Sequence, residues 1–195
     1  MSFHVVRFED VKPQLWKNGG GVTRELLAWP TADDWLVRIS VADIEMDGPF
    51  SAFPGITRTI TVLSGAGIWL DSPLDMELRP KDPPCTFPGD IAPRCELLRG
   101  ATRDLNAMFN EKEGVGRLQR WRTGYESKRK WISFALDRNP PTLFGVFTLG
   151  AATLHTRRSE LALPPMSLAW TAAPIPNMQL HSSPQAWSFH YTMPR

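Results

Sequence analysis

Proline and glycine interrupt this sequence so often that long helices have little room in it. The chain of 195 residues contains 18 prolines and 14 glycines, and a proline inside a helix removes a backbone hydrogen bond and clashes with the preceding turn. Segments of alternating apolar and polar side chains are common, and turn sequences such as DGPFSAFPG at 47–55 separate them. This pattern predicts an all-β fold built from short antiparallel strands.

The alternating segments also place the strands. One short segment, TADDWL at 31–36, is the single candidate for a helix. In the first half we predict strands at 3–8, 22–29, 35–44, 57–63, 66–70, 75–79, 96–99 and 103–109. In the second half we predict an edge strand near 117–123 and strands at 131–136, 142–149, 151–155, 160–163, 167–172, 178–181 and 186–192.

The amino-acid composition changes near the middle of the sequence, which suggests two halves. Residues 111–130 are rich in charge and poor in aliphatic side chains, so we predict a charged seam there. It separates a first β-barrel at 1–110, which carries the candidate pocket, from a mainly structural second barrel or sheet at 131–195. Six basic residues lie between 117 and 130, but no aromatic ladder accompanies them, which favours a solvated face over a nucleic-acid surface.

Charge and cysteine content exclude several protein classes. The net charge of +2 gives no general reason to expect nucleic acid or an anionic membrane as a partner. No apolar run reaches the roughly 20 residues of a membrane helix, and the start of the chain lacks the apolar core of a signal peptide. Two cysteines do not make a disulfide framework, so we expect a cytoplasmic protein with reduced thiols.

Three predicted strands each carry one arginine among apolar residues. Strict alternation puts Arg24 on the opposite face of its strand from Glu25, and it places Arg38 beside Ser40 and Arg58 beside Ile60. An arginine inside a barrel needs a partner, and a bound carboxylate would match its planar fork. The internal candidates are Glu25, Asp90 and Asp104, and exposure of the arginines to solvent is an equally good reading of the pattern.

The run NGGG at 18–21 needs a separate explanation, because glycine is costly to order. Such a run is either a flexible linker or a place where the backbone passes close to something. It would let backbone amides reach a ligand at the mouth of a barrel. Trp16 then is either an apolar wall or a core anchor, and Asn18 either binds a ligand or caps a turn.

Several motifs together resemble the HutD/Ves family of bacterial proteins. They are WKNGGGVTRE at 16–25, RISVA at 38–42, DGPFSAFPG at 47–55, RTITVLSGAG at 58–67, FPGD at 87–90 and DLNAM at 104–108. The resemblance implies two cupin-type antiparallel β-barrels in one chain, a bicupin. It also implies an association with histidine utilisation, in which family members bind a small acidic metabolite such as formylglutamate and act as a governor.

The cupin reading allows a check for metal ligands. A metal-binding cupin carries histidines and a glutamate in its first motif and a further histidine in its second, but residues 47–96 here contain no histidine. Near the expected ligand positions stand Ser51, Phe53, Arg58 and Ala92, none of which suits a transition metal. We therefore predict no metal, no other cofactor, and a barrel that holds an anion directly.

These observations lead to a non-catalytic protein that binds a small carboxylate metabolite in its first barrel. One alternative is a metal-independent cupin enzyme with Glu25 or Asp104 as general base. Another is a protein-interaction module whose partner docks on the segment at 110–130 or on an exposed aromatic patch. No catalytic residue, nucleic-acid partner or membrane partner is predicted, and a homodimer follows by fold analogy. The predicted ligand-binding residues are Trp16, Asn18, Arg24, Arg38, Ser40, Phe53, Arg58, Asp104 and Asn106.

Overall fold

A computed structural model describes residues 3–121, 142–156, 159–173, 178–182 and 185–194. Throughout these ranges the chain is built from β-strands and turns, and their one helical segment is the 3-10 turn Phe8–Asp10. The helical candidate at 31–36 is wrong. The amide of Asp34 donates to the hydroxyl of Thr31 at 3.2 Å, so this polar segment forms a turn before the next strand begins at Trp35.

Eighteen strands follow one another along the described chain. Most of the predicted strands are confirmed to within about two residues, while the predicted strand at 131–136 lies outside the described residues. The strands are β1 His4–Arg7, β2 Gln14–Leu15, β3 Gly21–Pro30, β4 Trp35–Ile44, β5 Gly48–Pro49, β6 Ile56–Ser64, β7 Ile68–Leu70, β8 Met76–Leu78, β9 Cys85–Pro88, β10 Arg94–Leu97, β11 Thr102–Asn110, β12 Val115–Arg120, β13 Leu143–Thr148, β14 Ala152–Thr156, β15 Glu160–Leu163, β16 Ser167–Thr171, β17 Met178–Ser182 and β18 Ala186–Thr192.

The chain divides into two compact units, which we call the first unit (Val11–Arg117) and the second unit (Met1–Asp10 with Leu118–Arg195). The first unit holds a six-stranded sheet of order β2-β3-β4-β11-β6-β9 and a four-stranded sheet of order β5-β10-β7-β8. Each pairing in these two sheets is antiparallel. Buried aliphatic and aromatic side chains from both sheets form one core cluster, which includes Ile60, Leu70 and Phe87.

A β-bulge in β3 changes which side chains share a face of the six-stranded sheet. The pairing of β3 with β4 shifts between Glu25 and Leu27, so one extra residue is inserted there. Glu25 lies opposite Ser40, and the next residue on that face is Ala28, opposite Arg38, where strict alternation would place Leu27. Strict alternation would put Ala28 on the same face as Arg24, and the bulge moves it to the opposite face.

The described part of the second unit also contains two sheets. β1 pairs with β16 in a sheet of order β1-β16-β13-β18-β12, and the other sheet has the order β15-β14-β17. Its core cluster includes Phe144, Leu154 and Ala169. The predicted seam at 111–130 is described only as far as residue 121, and that part contains β12.

None of the four sheets in the described ranges closes on itself, since each has two end strands in its pairing order. Cys85 and Cys95 are both free and buried, as predicted for isolated thiols. Within the same ranges, no helix has the length and apolar character needed to cross a membrane.

Candidate functional site

Two of the three predicted arginines share one face of the six-stranded sheet. Arg38 on β4 and Arg58 on β6 lie on either side of Met108 in the register of β11. Cross-strand partners in register project to the same side of a sheet. We call the side that carries Arg38, Arg58 and their neighbours in register the polar face.

Arg24 lies on the opposite face. Its register partner on β4 is Val41, and its Nη1 donates to Oδ2 of Asp43 at 3.2 Å. Arg103 also pairs with Asp43. The structure therefore places Arg24 in an ion cluster of its own, apart from the two arginines with which it was predicted to act.

A chain of hydrogen bonds crosses the polar face from β6 to β11. Nε of Arg58 donates to Oδ1 of Asn106 at 2.8 Å, and Nδ2 of Asn106 donates to Oδ1 of Asp104 at 2.8 Å. All three side chains are buried, and Asp104 has no exposed surface. We call these three residues the buried polar chain, and all three belong to the predicted site.

Two atoms of the buried polar chain are left unpaired. Nη1 of Arg58 and Oδ2 of Asp104 have no hydrogen-bond partner among the described residues. Leaving a buried polar atom unpaired costs roughly 1–3 kcal/mol, and more when the group is charged. One unpaired atom is a donor and the other is an acceptor, so this site has capacity that the described side chains do not use.

Burial controls the ionisation of the buried polar chain. It raises the pKa of Asp104 to about 7, although the charge of Arg58 and hydrogen bonds from Asn106 and the backbone of Ala42 oppose that rise. Burial also lowers the pKa of Arg58 to about 10, and the nearby charge of Arg38 lowers it further while Asp104 acts against both. Near neutral pH Arg58 is therefore charged, and Asp104 is divided between its two forms.

An ion pair lies nearer the solvent on the same face. Nε of Arg38 donates to Oε2 of Glu25 at 2.6 Å, and the two side chains are 17% and 24% exposed. This confirms Glu25 as an internal partner, whereas Asp90 is exposed. Ser40 is buried and lies in register between Glu25 and Asn106.

Aromatic rings surround the guanidinium of Arg58. Its Cζ lies 4.4 Å from the ring centroid of Phe50 and 5.6 Å from that of Phe87, within the range of cation–π attraction. Sequence reasoning named Phe53 instead and missed both rings. Phe53 is half-buried, and its amide donates to the carbonyl of Gly89 at 2.6 Å. The apolar positions of Phe50 and Phe87 were visible, but alternation gave no way to relate them to Arg58.

Trp16 lies at the edge of this site. Its Nε1 donates to the hydroxyl of Thr23 at 2.7 Å, and its ring meets Phe50 edge to face with centroids 6.4 Å apart. Trp16 is partly exposed and packs against the core cluster of the first unit. Both readings of this residue, a wall and a core anchor, are compatible with that position.

The glycine run has a structural explanation. Gly19 adopts a φ of 71°, which favours glycine, and a Cβ on Gly21 would lie 2.3 Å from the carbonyl oxygen of Asp43. The amide of Gly19 donates to the carbonyl of Trp16, and the amide of Gly20 donates to Oδ1 of the exposed Asn18. These two amides donate to acceptors within the loop itself. The segment that the glycine run approaches closely is therefore strand β4 of the same chain, at Asp43.

One contact in the second unit brings two histidines together. The rings of His155 and His181 lie 4.4 Å apart at their centroids, and Nδ1 of His155 is 3.0 Å from Oε1 of Glu160. The pairing of β14 with β17 explains this contact, because Thr153 is opposite His181. In the described ranges no group of three or more His, Cys, Asp or Glu side chains is arranged to hold a metal ion.

Comparison with known proteins extends over nearly the whole chain. A family model described as HutD matches residues 8–185. An uncharacterised 21.2 kDa protein in the hutC 3' region of Pseudomonas putida is 40% identical over 142 residues, which are 69% of this chain and 74% of that protein. Protein Ves of Citrobacter koseri is 40% identical over 98 residues, 48% of this chain and 51% of the relative.

The fold is shared with a solved structure. The structure of HutD from Pseudomonas fluorescens SBW25 aligns over 100% of both chains with a TM-score of 0.80 and 26% sequence identity. All the motifs that suggested the resemblance, from residue 16 to residue 108, lie inside the matched range.

Proposed function

The chain belongs to the HutD family, and we propose that it binds a small carboxylate metabolite on the polar face of its first unit. Binding, rather than turnover, is the proposed activity. The observation that carries this proposal is the unpaired Nη1 of the buried Arg58. A carboxylate oxygen is the partner that best matches a guanidinium donor.

The surroundings of Arg58 favour a compact anion. Phe50 and Phe87 flank the guanidinium and keep its neighbourhood apolar, which strengthens a charge-assisted hydrogen bond. Arg38 adds a second positive charge that acts on Arg58. With Asp104 protonated, the arginines Arg38 and Arg58 outnumber the remaining carboxylate of Glu25, so the face as a whole attracts one negative charge.

We further propose that the bound metabolite belongs to histidine breakdown, with formylglutamate as the leading candidate, and that binding serves regulation of that pathway. Support comes from the family and from the relative in the hutC 3' region of P. putida. The acid carries carboxylate groups of the kind that Arg58 is suited to accept.

A thermal-shift screen against small acids of histidine breakdown, with neutral amides of the same acids as controls, tests this proposal. A ligand present at 100 times its dissociation constant adds about 2.7 kcal/mol to stability. We expect acids to raise the melting temperature of the wild type, and Arg58→Gln and Arg38→Gln to lose most of that rise.

Arg24→Gln is the matched control for this screen, because Arg24 is also a part-buried, ion-paired arginine but lies on the opposite face. It is expected to keep the full response. No response of the wild type to any acid at millimolar concentration would end the carboxylate proposal, and equal loss in all three variants would point to general destabilisation.

One observation favours a second candidate function. A buried carboxyl with a pKa near 7, as Asp104 has, is suited to general base catalysis. Turnover of one of the screened acids, lost in Asp104→Asn, would support a metal-independent enzyme. Of the segment at 110–130 that the interaction-module alternative invokes, residues 122–130 lie outside the described residues.

The finer architecture also belongs among the proposals. The described part of each unit contains two sheets and a core cluster of buried side chains, which is compatible with one cupin-type barrel per unit. A crystal structure would decide between closed barrels and open sandwiches. The cytoplasmic location and the homodimer remain predictions, and sedimentation analysis would test the latter.

A further inference from the structure

The two unpaired atoms of the buried polar chain need opposite kinds of hydrogen-bond partner. Nη1 of Arg58 requires an acceptor, and an ionised Oδ2 of Asp104 requires a donor. A bare carboxylate can supply an acceptor but brings no donor. If Asp104 stayed ionised, the incoming anion would add a second negative charge beside it in a place with almost no solvent to screen either charge.

The charged groups around Asp104 come from several strands. Arg58 on β6 attracts the carboxylate, and Asp43 on β4 repels it weakly. Cys95 on β10 is close enough to be affected by Asp104, but burial raises the pKa of its thiol to about 12, so it is neutral. Arg38 on β4 acts on Arg58. One guanidinium and one weakly repelling carboxylate therefore dominate, and an added anion would reverse their balance.

Protonation resolves the conflict between the two atoms. When Oδ2 of Asp104 carries a proton it becomes a donor, as Nη1 of Arg58 already is, while Oδ1 continues to accept from Asn106. Both unpaired positions of the buried polar chain are then hydrogen-bond donors. A carboxylic acid kept neutral in an apolar site can act as such a donor.

We propose that the anion is bound together with one proton on Oδ2 of Asp104, so that Arg58 and the protonated Asp104 bind it as two donors. This inference rests on the carboxylate-binding function proposed above. Protonation of Asp104 then allows the anion to bind, and it makes the affinity for the anion depend on pH.

The anion binds to the protein in which Asp104 is protonated, and this fixes the direction in which the affinity changes with pH. Its pKa of about 7 in the folded protein means that the protonated form is the major one below that pH. Apparent affinity is reduced by the fraction of protein in the wrong state. Affinity is then nearly constant below about pH 6 and falls roughly tenfold for each unit of pH above about 7.

Isothermal titration with formylglutamate, and with formate as a minimal carboxylate, tests the proposal across about pH 6 to 9. Repeating the titration near pH 8 in buffers with different ionisation enthalpies measures proton exchange directly. Binding to the wild type is expected to take up close to one proton at that pH, on the order of 0.9 per anion. The ligand itself contributes little to the measured proton exchange, because its carboxyl group is ionised over the whole pH range of the experiment.

Two variants test whether Asp104 is the group that takes up the proton. Asp104→Asn keeps a neutral group and an oxygen acceptor for Asn106, so it is expected to bind with no proton uptake and to exceed the wild type in affinity at about pH 9. Glu25→Gln, at the other carboxylate of the polar face, is expected to keep the slope of the wild type.

The outcomes separate the two proposals. Wild-type affinity that does not change with pH, proton release on binding, or a slope that disappears in Glu25→Gln would each overturn the coupling to Asp104 while leaving carboxylate binding in place. Absence of binding at every pH would overturn the proposed function itself and this inference with it. Proton uptake by the wild type is informative even if Asp104→Asn fails to fold.

Discussion

The two units of this protein each hold a cluster of polar and ionisable side chains, but at very different depths. In the first unit Arg58, Asn106 and Asp104 lie inside the protein. In the second unit, His155 is 24% exposed beside a Glu160 that is 74% exposed. The hydrogen-bond and ion-pair distances are similar in both clusters, at 2.8–3.0 Å, so geometry alone does not distinguish them.

Depth does distinguish them. Burial shifts the pKa values of Asp104 and Arg58 in the directions that disfavour charge, as removal from water requires. The second cluster can exchange its partners for water at little cost. A buried, incompletely paired cluster in one unit and a solvated one in the other explain why the proposed binding site lies in the first unit.

The largest expected effect concerns Asp104 and pH. Its pKa is raised in the folded protein to about 7 from 3.8, so its contribution to stability is fully present below about pH 4 and is lost as the pH rises through 7. The loss is on the order of 4 kcal/mol. Asp104→Asn should remove this loss and so gain stability over the wild type above pH 7. Urea unfolding of both proteins at several pH values measures it, and parallel pH profiles would contradict the assignment.

The next effect comes from interrupting the buried polar chain. Asn106→Leu leaves Nε of Arg58 and Oδ1 of Asp104 without their partner, and loss of one member of a buried ionic network costs about 3 kcal/mol or more. The free energy of unfolding at pH 7 is the measurement. A loss below about 1 kcal/mol would mean that water already reaches these groups, and would weaken the contrast between the two units.

The pair of Arg38 and Glu25 is intermediate in depth and should be intermediate in cost. With side chains 17% and 24% exposed, we expect Glu25→Gln to cost about 1 kcal/mol and the cost to shrink as salt is added. Unfolding measured at low and high salt tests this. A cost equal to that of Asn106→Leu would show that the polar face is uniformly dry.

The smallest effect is expected in the second unit. Glu160→Gln removes an exposed partner of His155, and exposed pairs contribute about 0–1 kcal/mol. We expect a change in unfolding free energy below about 0.5 kcal/mol, and no change in ligand response. A large effect would mean that the imidazole cluster has a role of its own.

Local patterns in the sequence determined much of this protein. Proline and glycine spacing fixed the all-β class, and alternation placed strands such as β4 and β18 and put Arg38 with Ser40 on one face. The motifs between residues 16 and 108 indicated the family. These features depend on neighbours in the chain, which is why a sequence reveals them.

The tertiary structure alone decided which of the indicated residues lie together. The strand pairings put Arg24 on the face opposite Arg38, and the placing of Phe50 beside Arg58 comes from the packing of distant segments. The bulge at Glu25 and the short strands β2, β5 and β9, which were not predicted, depend on partner strands elsewhere in the chain. Burial of Asp104, and with it the pKa that governs the proposed proton coupling, is a property of everything packed around that side chain, which no local pattern encodes.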